Sequence, residues 1–470
     1  MFGIGKTDKI SYFCIGKTDN DMLERKINSY LEQFYKQNQK ALLVTGARQT
    51  GKSYSIRHYG TTHFKNFIEI NFIDTPEAVN VFANAKSHQD ILFRLSAFVS
   101  QPLEKGQTLI FFDEVQECPE IVTAIKFLVS EGSYRYVLSG SLLGVELNNL
   151  RSEPVGYMDV KEMFPLDMEE FFMALGVSGQ VLGAVRTAWE QQVPLDDFIH
   201  QKLMQLFRLY LLVGGMPAVV QRYIDTNNLQ EVMAEQQAII RLYKRDITKY
   251  DKNHKLYIQE IFDLIPSELN AKNKRFILKN LNENLKFSRY ENSFLWLKDA
   301  GVALPVYNIE EPVAPLKLSR SRNLFKLFQS DIGLLACQYA DGIQLKLLNN
   351  EQSINYGSIY ENAIAQELHA HGFELYYFNS KKQGELDFVV EKEGQVLPIE
   401  VKSGKDYERH HALSNVMSND DYRIPQAYIF CNDNVHQSGR LLYVPVYMIA
   451  FLRKTPPANI QYRVDLTGLQ

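Results

Sequence analysis

Cysteine is scarce in this sequence. The 470 residues include only four cysteines, which are widely separated and form no Cys-x-x-Cys pair: Cys14, Cys118, Cys337 and Cys431. Disulfide-stabilised small domains and zinc ribbons need paired cysteines at short spacing, so the sequence excludes both classes. Isolated cysteines are typical of a reducing compartment, and we therefore expect a cytoplasmic protein.

Long apolar runs and a strong net charge are also missing. The longest nearly apolar run, Leu209–Val220, contains Gly-Gly and Pro and is shorter than the roughly 20 residues that span a bilayer. The first residues have no apolar core of the signal-peptide type, so we expect no membrane partner. A net charge of −4 gives no overall basic excess that would attract nucleic acid, which leaves only a local basic surface for that role.

Three Gly-Lys-Thr/Ser triplets occur near the start of the chain, and they differ in context. A phosphate-binding loop has the pattern G-x-x-x-x-G-K-[ST] between a buried strand and a helix. The copies "GIGKTD" and "CIGKTD" follow no apolar strand, and Gly16 has Ser11 where the first glycine should stand. We expect residues 1–22, which contain both copies, to be poorly ordered.

The third triplet lies in "GARQTGKS", directly after the apolar segment Ala41–Thr45. Its glycines allow the backbone N–H groups to surround phosphates, and the following helix N-terminus adds partial positive charge. Lys52 would reach the outer phosphates and act in catalysis, while Ser53 would bind Mg²⁺. The alternative is a chance match in a surface turn. The residues predicted to bind ATP here are Gly46, Ala47, Arg48, Gln49, Thr50, Gly51, Lys52, Ser53 and Tyr54.

Two further segments complete the predicted ATP site. In "TLIFFDEVQE", a buried strand ends at Asp113 and Glu114, so Asp113 would hold Mg²⁺ through water and Glu114 would orient the attacking water. The strand "YRYVLSGS" ends at Ser139, which would sense the terminal phosphate; ordinary turn chemistry is the alternative. Buried strands that alternate with helices predict an α/β fold with a doubly wound parallel sheet.

A second set of charged residues lies in the C-terminal part. Residues alternate between the two faces of a strand, so "GELDFVV" and "LPIEVKS" would bring Asp387, Glu400 and Lys402 to one face. Glu361 would join them from the helix "GSIYENAIAQELHA". Such carboxylates, Asp387 and Glu400 foremost, can bind Mg²⁺ for phosphodiester cleavage, with all four residues as catalytic candidates. The alternative is a hairpin with a solvated, salt-bridged face.

The middle of the sequence is predicted to be helical and locally basic. A helix that ends at Asp299-Ala300-Gly301 and leads into a strand resembles a winged helix. Residues 271–328 contain eleven Lys or Arg and five Asp or Glu, a net charge of +6. Such a stretch is typical of DNA-contacting modules, although a solvated helical surface is the alternative.

The motifs occur in an order that resembles a known family. They include "GARQTGKS", "FFDEVQE", "LSGS", "FPLDMEEF", "VGGMPAVV", "KRDI", "FKLFQSDIGLL", "GSIYENAIAQEL", "GELDFVV" and "PIEVKSGK". The chain resembles prokaryotic AAA-type ATPases that carry a C-terminal domain of unknown function 4143. The resemblance implies an AAA-like ATPase joined to a restriction-endonuclease-like domain. It departs at Gly156-Tyr157, where many members have Gly-Arg, so any arginine acting from a neighbouring subunit would be Arg151 or another residue.

These observations lead to a prediction for the whole chain. We predict an ATPase domain at 1–205, a helical and winged-helix-like region at 206–345 and a restriction-endonuclease-like domain at 346–470. The predicted cofactors are ATP and Mg²⁺, and DNA is favoured as the partner. The sequence leaves open whether the chain forms a homo-oligomer. The alternatives to a nuclease are an ATPase switch that binds nucleic acid or a protein partner without cleavage, and a regulatory ATPase that acts on a protein alone.

Overall fold

The computed structural model describes nine ranges of the chain: 23–85, 87–140, 156–250, 255–271, 274–276, 290–339, 343–349, 356–455 and 462–464. Residues 1–22, which contain the first two Gly-Lys-Thr copies and were predicted to be poorly ordered, lie outside these ranges. The candidate Arg151 lies outside them as well. Part of the basic stretch 271–328 lies outside them as well.

The N-terminal part contains a five-stranded sheet in which every strand pairs in parallel, in the order β2-β3-β4-β1-β5. Its strands are β1 (Ala41–Thr45), β2 (Asn66–Asn71), β3 (Thr108–Asp113), β4 (Arg135–Ser139) and β5 (Met158–Glu162). Helices surround it: α1 (Lys26–Gln37), α2 (Lys52–His63), α3 (Val79–Phe82), α4 (His88–Phe98) and α5 (Pro119–Glu131).

Apolar residues on both faces of the strands explain this layered arrangement. All six residues of β3 are buried, as expected for a parallel strand that is covered by helices on both sides. Two separate apolar clusters pack on the two faces of the sheet; one contains Ile110 and Phe112, and the other Leu109 and Phe111. The predicted α/β fold with a parallel sheet is confirmed.

The middle of the chain is mainly helical. Its helices are α6 (Met168–Ala174), α7 (Gly179–Gln191), α8 (Asp197–Val213), α9 (Pro217–Thr226), α10 (Leu229–Tyr250), α11 (Lys255–Asn270) and α12 (Glu291–Asp299). Within the described ranges, no single helix has the length and apolar character needed to cross a membrane. The pair α8 and α9, bent by 120°, passes that test of length and composition only when taken together.

The C-terminal part contains a mixed eight-stranded sheet in the order β12-β13-β11-β10-β9-β8-β6-β7. Its strands are β6 (Ala303–Ile309), β7 (Arg320–Gln329), β8 (Tyr376–Ser380), β9 (Gly384–Lys392), β10 (Gln395–Val401), β11 (Ala427–Cys431), β12 (His436–Ser438) and β13 (Leu441–Pro445). The remaining helices are α13 (Ile332–Ala336), α14 (Ile343–Leu348), α15 (Gly357–Ala370) and α16 (His411–Met417).

The strand predicted after Gly301 is present, but its surroundings differ from those of an isolated wing. Strand β6 pairs in parallel with β8, with Tyr307 opposite Tyr376. The β6–β7 hairpin therefore continues the C-terminal sheet at its edge. The domain boundaries predicted from the sequence stay predictions.

Helix α15 connects the C-terminal sheet to the N-terminal part. Residues 358–368 are all buried, so the helix packs on every side. Near its C-terminal end, the buried carboxylate of Glu367 accepts hydrogen bonds from Met168 N at 2.9 Å and from Tyr210 Oη at 3.0 Å. Glu361 lies nearer the start of the same helix. The helix thus extends from the helical region to the face that carries the second set of charged residues.

Candidate functional site

The loop between β1 and α2 has the backbone shape that its glycines permit. Gly46 has φ +130°, and a Cβ at this position would lie 2.1 Å from the carbonyl oxygen of Met163. Only glycine fits such an approach. Gly51 is also left-handed, and it directly precedes α2. No side chain of the described residues caps this helix, so its first N–H groups are available to an anion.

Lys52 is buried at the start of α2 and bonds to the loop itself. Its Nζ donates to the carbonyl oxygens of Gly46 at 3.0 Å and Ala47 at 2.7 Å. Burial lowers the pKa of Lys52 to about 8, although the carboxylates of Glu114 and Asp113 oppose the shift. The ammonium group therefore lies inside the loop, where phosphate oxygens can compete for its protons.

Three strand ends bring the other predicted ATP-site residues together. Because β4 lies between β1 and β3 in the sheet, Ser139 lies beside Asp113. Ser139 Oγ donates to Asp113 Oδ1, and Ser53 Oγ donates to Asp113 Oδ2 at 2.9 Å. The sequence analysis missed Asn71, whose Nδ2 donates to Asp113 Oδ2 at 3.3 Å. Its signal was available, since Asn71 ends the neighbouring strand β2.

Glu114 follows Asp113 in a left-handed conformation, with φ +56°. Such a conformation is uncommon for a residue with a side chain and marks local strain, which is often found at functional sites. Gln116 Nε2 donates to Glu114 Oε2 at 2.6 Å and fixes the carboxylate. Tyr54, by contrast, is 56% exposed.

Residues distant in sequence hold the loop from outside. Arg48 pairs with Asp246 of α10, with Nη1 2.7 Å and 2.9 Å from the two carboxylate oxygens, so its side chain is directed to the helical region. Arg25 Nη1 donates to Thr50 O at 2.9 Å. Gly301, just after α12, lies against the backbone of Ala47. No local sequence pattern indicated that Arg25, Asp246 or Gly301 contacts this loop.

The second set of charged residues also converges. Strands β9 and β10 are antiparallel with Phe388 opposite Ile399, which brings Asp387 next to Glu400. Val401 N donates to Asp387 Oδ2 at 2.9 Å, and Lys402 Nζ donates to Glu400 Oε1 at 2.7 Å. We call Glu361, Asp387, Glu400 and Lys402 the acid–lysine cluster.

Burial shapes the electrostatics of this cluster. Burial, and then the neighbouring Asp387, raise the pKa of Glu400 to about 8. The same two causes raise the pKa of Glu361. Glu361 Oε2 and Glu400 Oε2 are buried and have no hydrogen-bond partner among the described residues. Orphaned buried carboxylate oxygens are costly, and a bound cation is one way to satisfy them.

Two lysines that the sequence analysis missed lie beside the cluster. Lys274 Nζ forms a short ion pair with Glu361 Oε1. Lys326, which is fully buried on β7, has its Nζ 2.8 Å from Glu385 Oε1 and 3.8 Å from Glu361 Oε2. Burial opposes a charged lysine here, but the carboxylates of Glu361, Asp387 and Glu385 raise the pKa of Lys326. A lysine between apolar neighbours in "LFKLF" was the available signal.

A metal ion would therefore meet few protein ligands. In the part of the chain that the structure describes, no group of three or more His, Cys, Asp or Glu side chains is arranged around one point that could hold a metal. Asp387 and Glu400 are the pair that fits best, because they are neighbours on paired strands, whereas the carboxylate of Glu361 already faces two lysines. Mg²⁺ commonly binds through one or two carboxylates, with water and substrate oxygens completing its shell.

Three models of known protein families match separate parts of the chain. Residues 38–172 match the family model of an AAA domain, residues 204–347 match a domain of unknown function (DUF8612), and residues 356–448 match a domain of unknown function (DUF4143). No curated protein sequence matches the chain significantly.

Solved structures that align with a large part of this chain were also found. A Walker-type ATPase of Pyrococcus abyssi is 13% identical, with 68% of this chain and 96% of that chain covered, at a TM-score of 0.40. The Orc1 protein of Aeropyrum pernix, solved in complex with DNA, is 12% identical, with 66% and 88% covered, at 0.27. Cdc6p of Pyrobaculum aerophilum is 14% identical, with 73% and 97% covered, at 0.26. TM-scores this low carry no argument about function.

The assignment of domains rests on the family models and on the geometry of the two sites. The AAA model covers the loop at Gly46–Ser53 together with Asp113 and Ser139. The DUF4143 model covers Glu361, Asp387, Glu400 and Lys402. The chain therefore contains an AAA ATPase domain and a C-terminal DUF4143 domain, as its motifs predicted.

Proposed function

We propose that this ATPase uses Mg²⁺ and ATP to control a C-terminal domain that binds and cleaves DNA. The observation that supports the ATP-binding part of this proposal is the convergence on Asp113, at the end of β3, of Ser139 from the end of β4 and Ser53 from the start of α2. When bound, Mg²⁺ would neutralise charge on the phosphates. Ser53 and Asp113 would hold the ion, Asp113 through water, and Lys52 would bind the outer phosphates.

Glu114 and Ser139 would act on the terminal phosphate. Glu114 accepts a hydrogen bond from Gln116, which supports a fixed carboxylate that orients the attacking water. Ser139 bonds to Asp113 and would exchange that bond for one to the phosphate. The backbone N–H groups from Ala47 to Tyr54 would surround the phosphate chain.

For the C-terminal domain we propose a restriction-endonuclease-like fold and a nuclease site at the acid–lysine cluster. The supporting observation is the approach of Asp387, Glu400 and Lys402 on paired strands beside Glu361 of α15. Mg²⁺, when bound, would supply a hydroxide-like water and stabilise the leaving oxygen. Asp387 and Glu400 would hold the ion. Lys402 would position the attacking water or offset negative charge on the phosphate.

DNA is the favoured nucleic acid because residues 271–328 carry a net charge of +6. A basic segment neutralises phosphates and releases counterions, so its binding weakens steeply with salt. Binding that does not change between low and high salt would instead favour a protein partner.

The second candidate function is an ATPase switch that binds without cutting. One observation favours it: Lys274, Lys326 and Lys402 already pair with the carboxylates of Glu361 and Glu400. A cluster neutralised by its own lysines can be purely structural. Under this alternative, substitutions in the cluster would change stability, and neither the wild type nor any variant would cleave DNA.

The experiment that separates the two functions is a cleavage assay on supercoiled and single-stranded DNA, with Mg²⁺ or Mn²⁺, with and without ATP. The wild type is compared with Lys402→Ala and with a matched control, Lys405→Ala, which changes an exposed lysine three residues away. We expect the wild type and Lys405→Ala to cut and Lys402→Ala not to cut.

The opposite result would also separate the two candidate functions. If no condition gives cleavage while the wild type hydrolyses ATP and Lys52→Ala does not, the nuclease proposal fails and the switch remains. Cleavage by Lys402→Ala at the wild-type rate would point to a contaminating nuclease.

Three further proposals concern the whole molecule. We propose domain boundaries near residues 205 and 345, and limited proteolysis would test them. We also propose a cytoplasmic location, on the basis of the scattered cysteines. A homo-oligomer in which an arginine of a neighbouring subunit completes the ATP site is tested by light scattering with and without ATP.

A further inference from the structure

Glu361 and the pair Asp387–Glu400 have different surroundings. The carboxylate of Glu361 lies between two ammonium groups, those of Lys274 and Lys326. Glu400 has one lysine partner among the described residues, Lys402, on Oε1. Oε2 of each glutamate lacks a hydrogen-bond partner there, but that of Glu361 lies 3.8 Å from Lys326 Nζ. The two sides of the acid–lysine cluster therefore offer a cation different environments.

The two lysines at Glu361 come from strand β7 and from the segment around Lys274, both of which lie outside the DUF4143 match at 356–448. Lys326 projects from β7, at the far end of the eight-stranded sheet from β12. Phe276 N donates to Phe325 O at 3.0 Å, which fixes Lys274 near β7. The ring of Phe276 stacks on that of Phe325 with centroids 6.2 Å apart. Backbone pairing and aromatic packing thus hold both ammonium groups at Glu361.

Lys326 is not a mobile counterion. It is fully buried, its Nζ lies 5.1 Å from the centre of the Tyr377 ring, and Glu385 holds it at 2.8 Å. Lys274 is more accessible, with 21% of its side chain exposed. A divalent cation placed at Glu361 would face both positive charges at short range. One placed between Asp387 and Glu400 would instead meet two carboxylates and, among the described residues, a single lysine ion pair, that of Lys402 with Glu400.

We propose that the acid–lysine cluster takes a single divalent cation, held by Asp387 and Glu400, and that Lys274 and Lys326 occupy the place of a second cation at Glu361. This inference rests on the proposed metal site. Glu361 is then a positioning residue that anchors the two lysines: the partly exposed Lys274 faces the phosphate of a bound nucleic acid, and the fully buried Lys326 acts through its charge alone. The second positive charge that a two-metal nuclease takes from solution is supplied here by the chain itself.

The test is the number of Mn²⁺ ions that the full-length, nucleotide-free chain binds in calorimetric titration. The chain with both Asp387→Asn and Glu400→Gln provides the baseline for ions bound elsewhere, including the ATP site. We expect the wild type to bind one ion more than this baseline. Glu361→Gln should retain that ion with an affinity within about threefold of the wild type, which is less than 1 kcal/mol by the affinity relation.

A lysine variant examines the other half of the inference. Lys274→Met removes one ammonium group, so a second, weaker Mn²⁺ ion should appear at Glu361. Lys381→Met, which changes an exposed lysine in the turn before β9, is the matched control and should bind like the wild type. Circular dichroism and thermal melting of each variant check that it is folded.

Each outcome has a distinct meaning. Two ions above the baseline in the wild type, or loss of the ion in Glu361→Gln, would overturn the inference and leave the proposed nuclease site intact. If the baseline variant binds as many ions as the wild type, the metal site itself fails, and the proposed cleavage function fails with it. The wild-type stoichiometry decides the inference even if Glu361→Gln does not fold.

Discussion

Replacing Gly301 with alanine tests whether the end of α12 shapes the ATP-binding loop. Gly301 is left-handed, with φ +72°, and a Cβ at this position would lie 3.0 Å from Ala47 N and 3.4 Å from Ala47 Cβ. The first distance is shorter than ordinary contacts of a Cβ atom, so the loop and the helix end would have to separate by a few tenths of an ångström. The N–H of Ala47 is one of the groups predicted to bind phosphate.

The effect has two parts, and a second glycine separates them. A left-handed alanine costs about 1–2 kcal/mol wherever it occurs. Gly176, with φ +83°, ends α6 as Gly301 ends α12, but a Cβ there would meet nothing within 4 Å. In both turns the glycine N–H bonds to the carbonyl three residues earlier, at 2.9 Å. Gly176→Ala therefore carries the backbone cost without the steric contact.

The assay is steady-state ATP hydrolysis by the wild type, Gly301→Ala and Gly176→Ala, together with their thermal unfolding. Both variants should lose similar stability. Moving one phosphate-binding N–H out of line costs about 1 kcal/mol, so we expect kcat/KM for ATP to fall about fivefold in Gly301→Ala only. If Gly301→Ala and Gly176→Ala have the same kcat/KM, α12 does not shape the loop and the reasoning is wrong.

Three more predictions follow from the ATP site. Glu114→Gln should bind ATP normally but hydrolyse it at least about a hundredfold more slowly, as measured by phosphate release, whereas the exposed Glu117→Gln should behave as wild type. Burial lowers the pKa of Lys52 to about 8 in the free protein, and bound phosphates favour its ammonium form. ATP affinity should therefore fall about tenfold between pH 7 and pH 9, and calorimetry should show that ATP binding takes up a proton. An ATP affinity that stays constant over this range would contradict the prediction. Asp246→Asn removes the partner of Arg48 and should cost about 2 kcal/mol of stability, seen as a lower unfolding temperature; an unchanged temperature would show that the pair contributes nothing.

Most of the ATP site could be predicted because its signals are local. The loop follows its strand directly, and Asp113 and Ser139 end apolar runs that only buried strands explain. The contacts that hold the loop could not be predicted. Arg25 and Thr50 are 25 residues apart, and Arg48 and Asp246 are 198 residues apart. Such pairs depend on how helices pack, which no short window of sequence records.

Prediction of the acid–lysine cluster from sequence was limited in the same way, here by the pairing of distant strands. The two-residue period of a strand was enough to bring Asp387 and Glu400 to one face, since a short turn at Gly394 fixes the register. Lys326 escaped prediction because β7 reaches the cluster only through the pairing of β6 with β8. That pairing joins segments about 70 residues apart in sequence. The positive half of the cluster is thus a property of the tertiary fold.

The two sites are joined by continuous contacts that begin at the ATP-binding loop. Arg25 donates to Thr50 O in the loop and to Phe164 O at 2.7 Å, and its Nε lies 3.2 Å from Glu170 Oε1. Glu170 belongs to α6, whose first N–H group bonds to Glu367 of α15. Contact alone does not carry a signal, because some element along the route must have two arrangements. Helix α15 is packed on every side and would move only as a rigid body. If a change of the loop shifted this helix, Glu361 would therefore move together with Glu367, and the ion pairs of Glu361 with Lys274 and Lys326 would have to adjust.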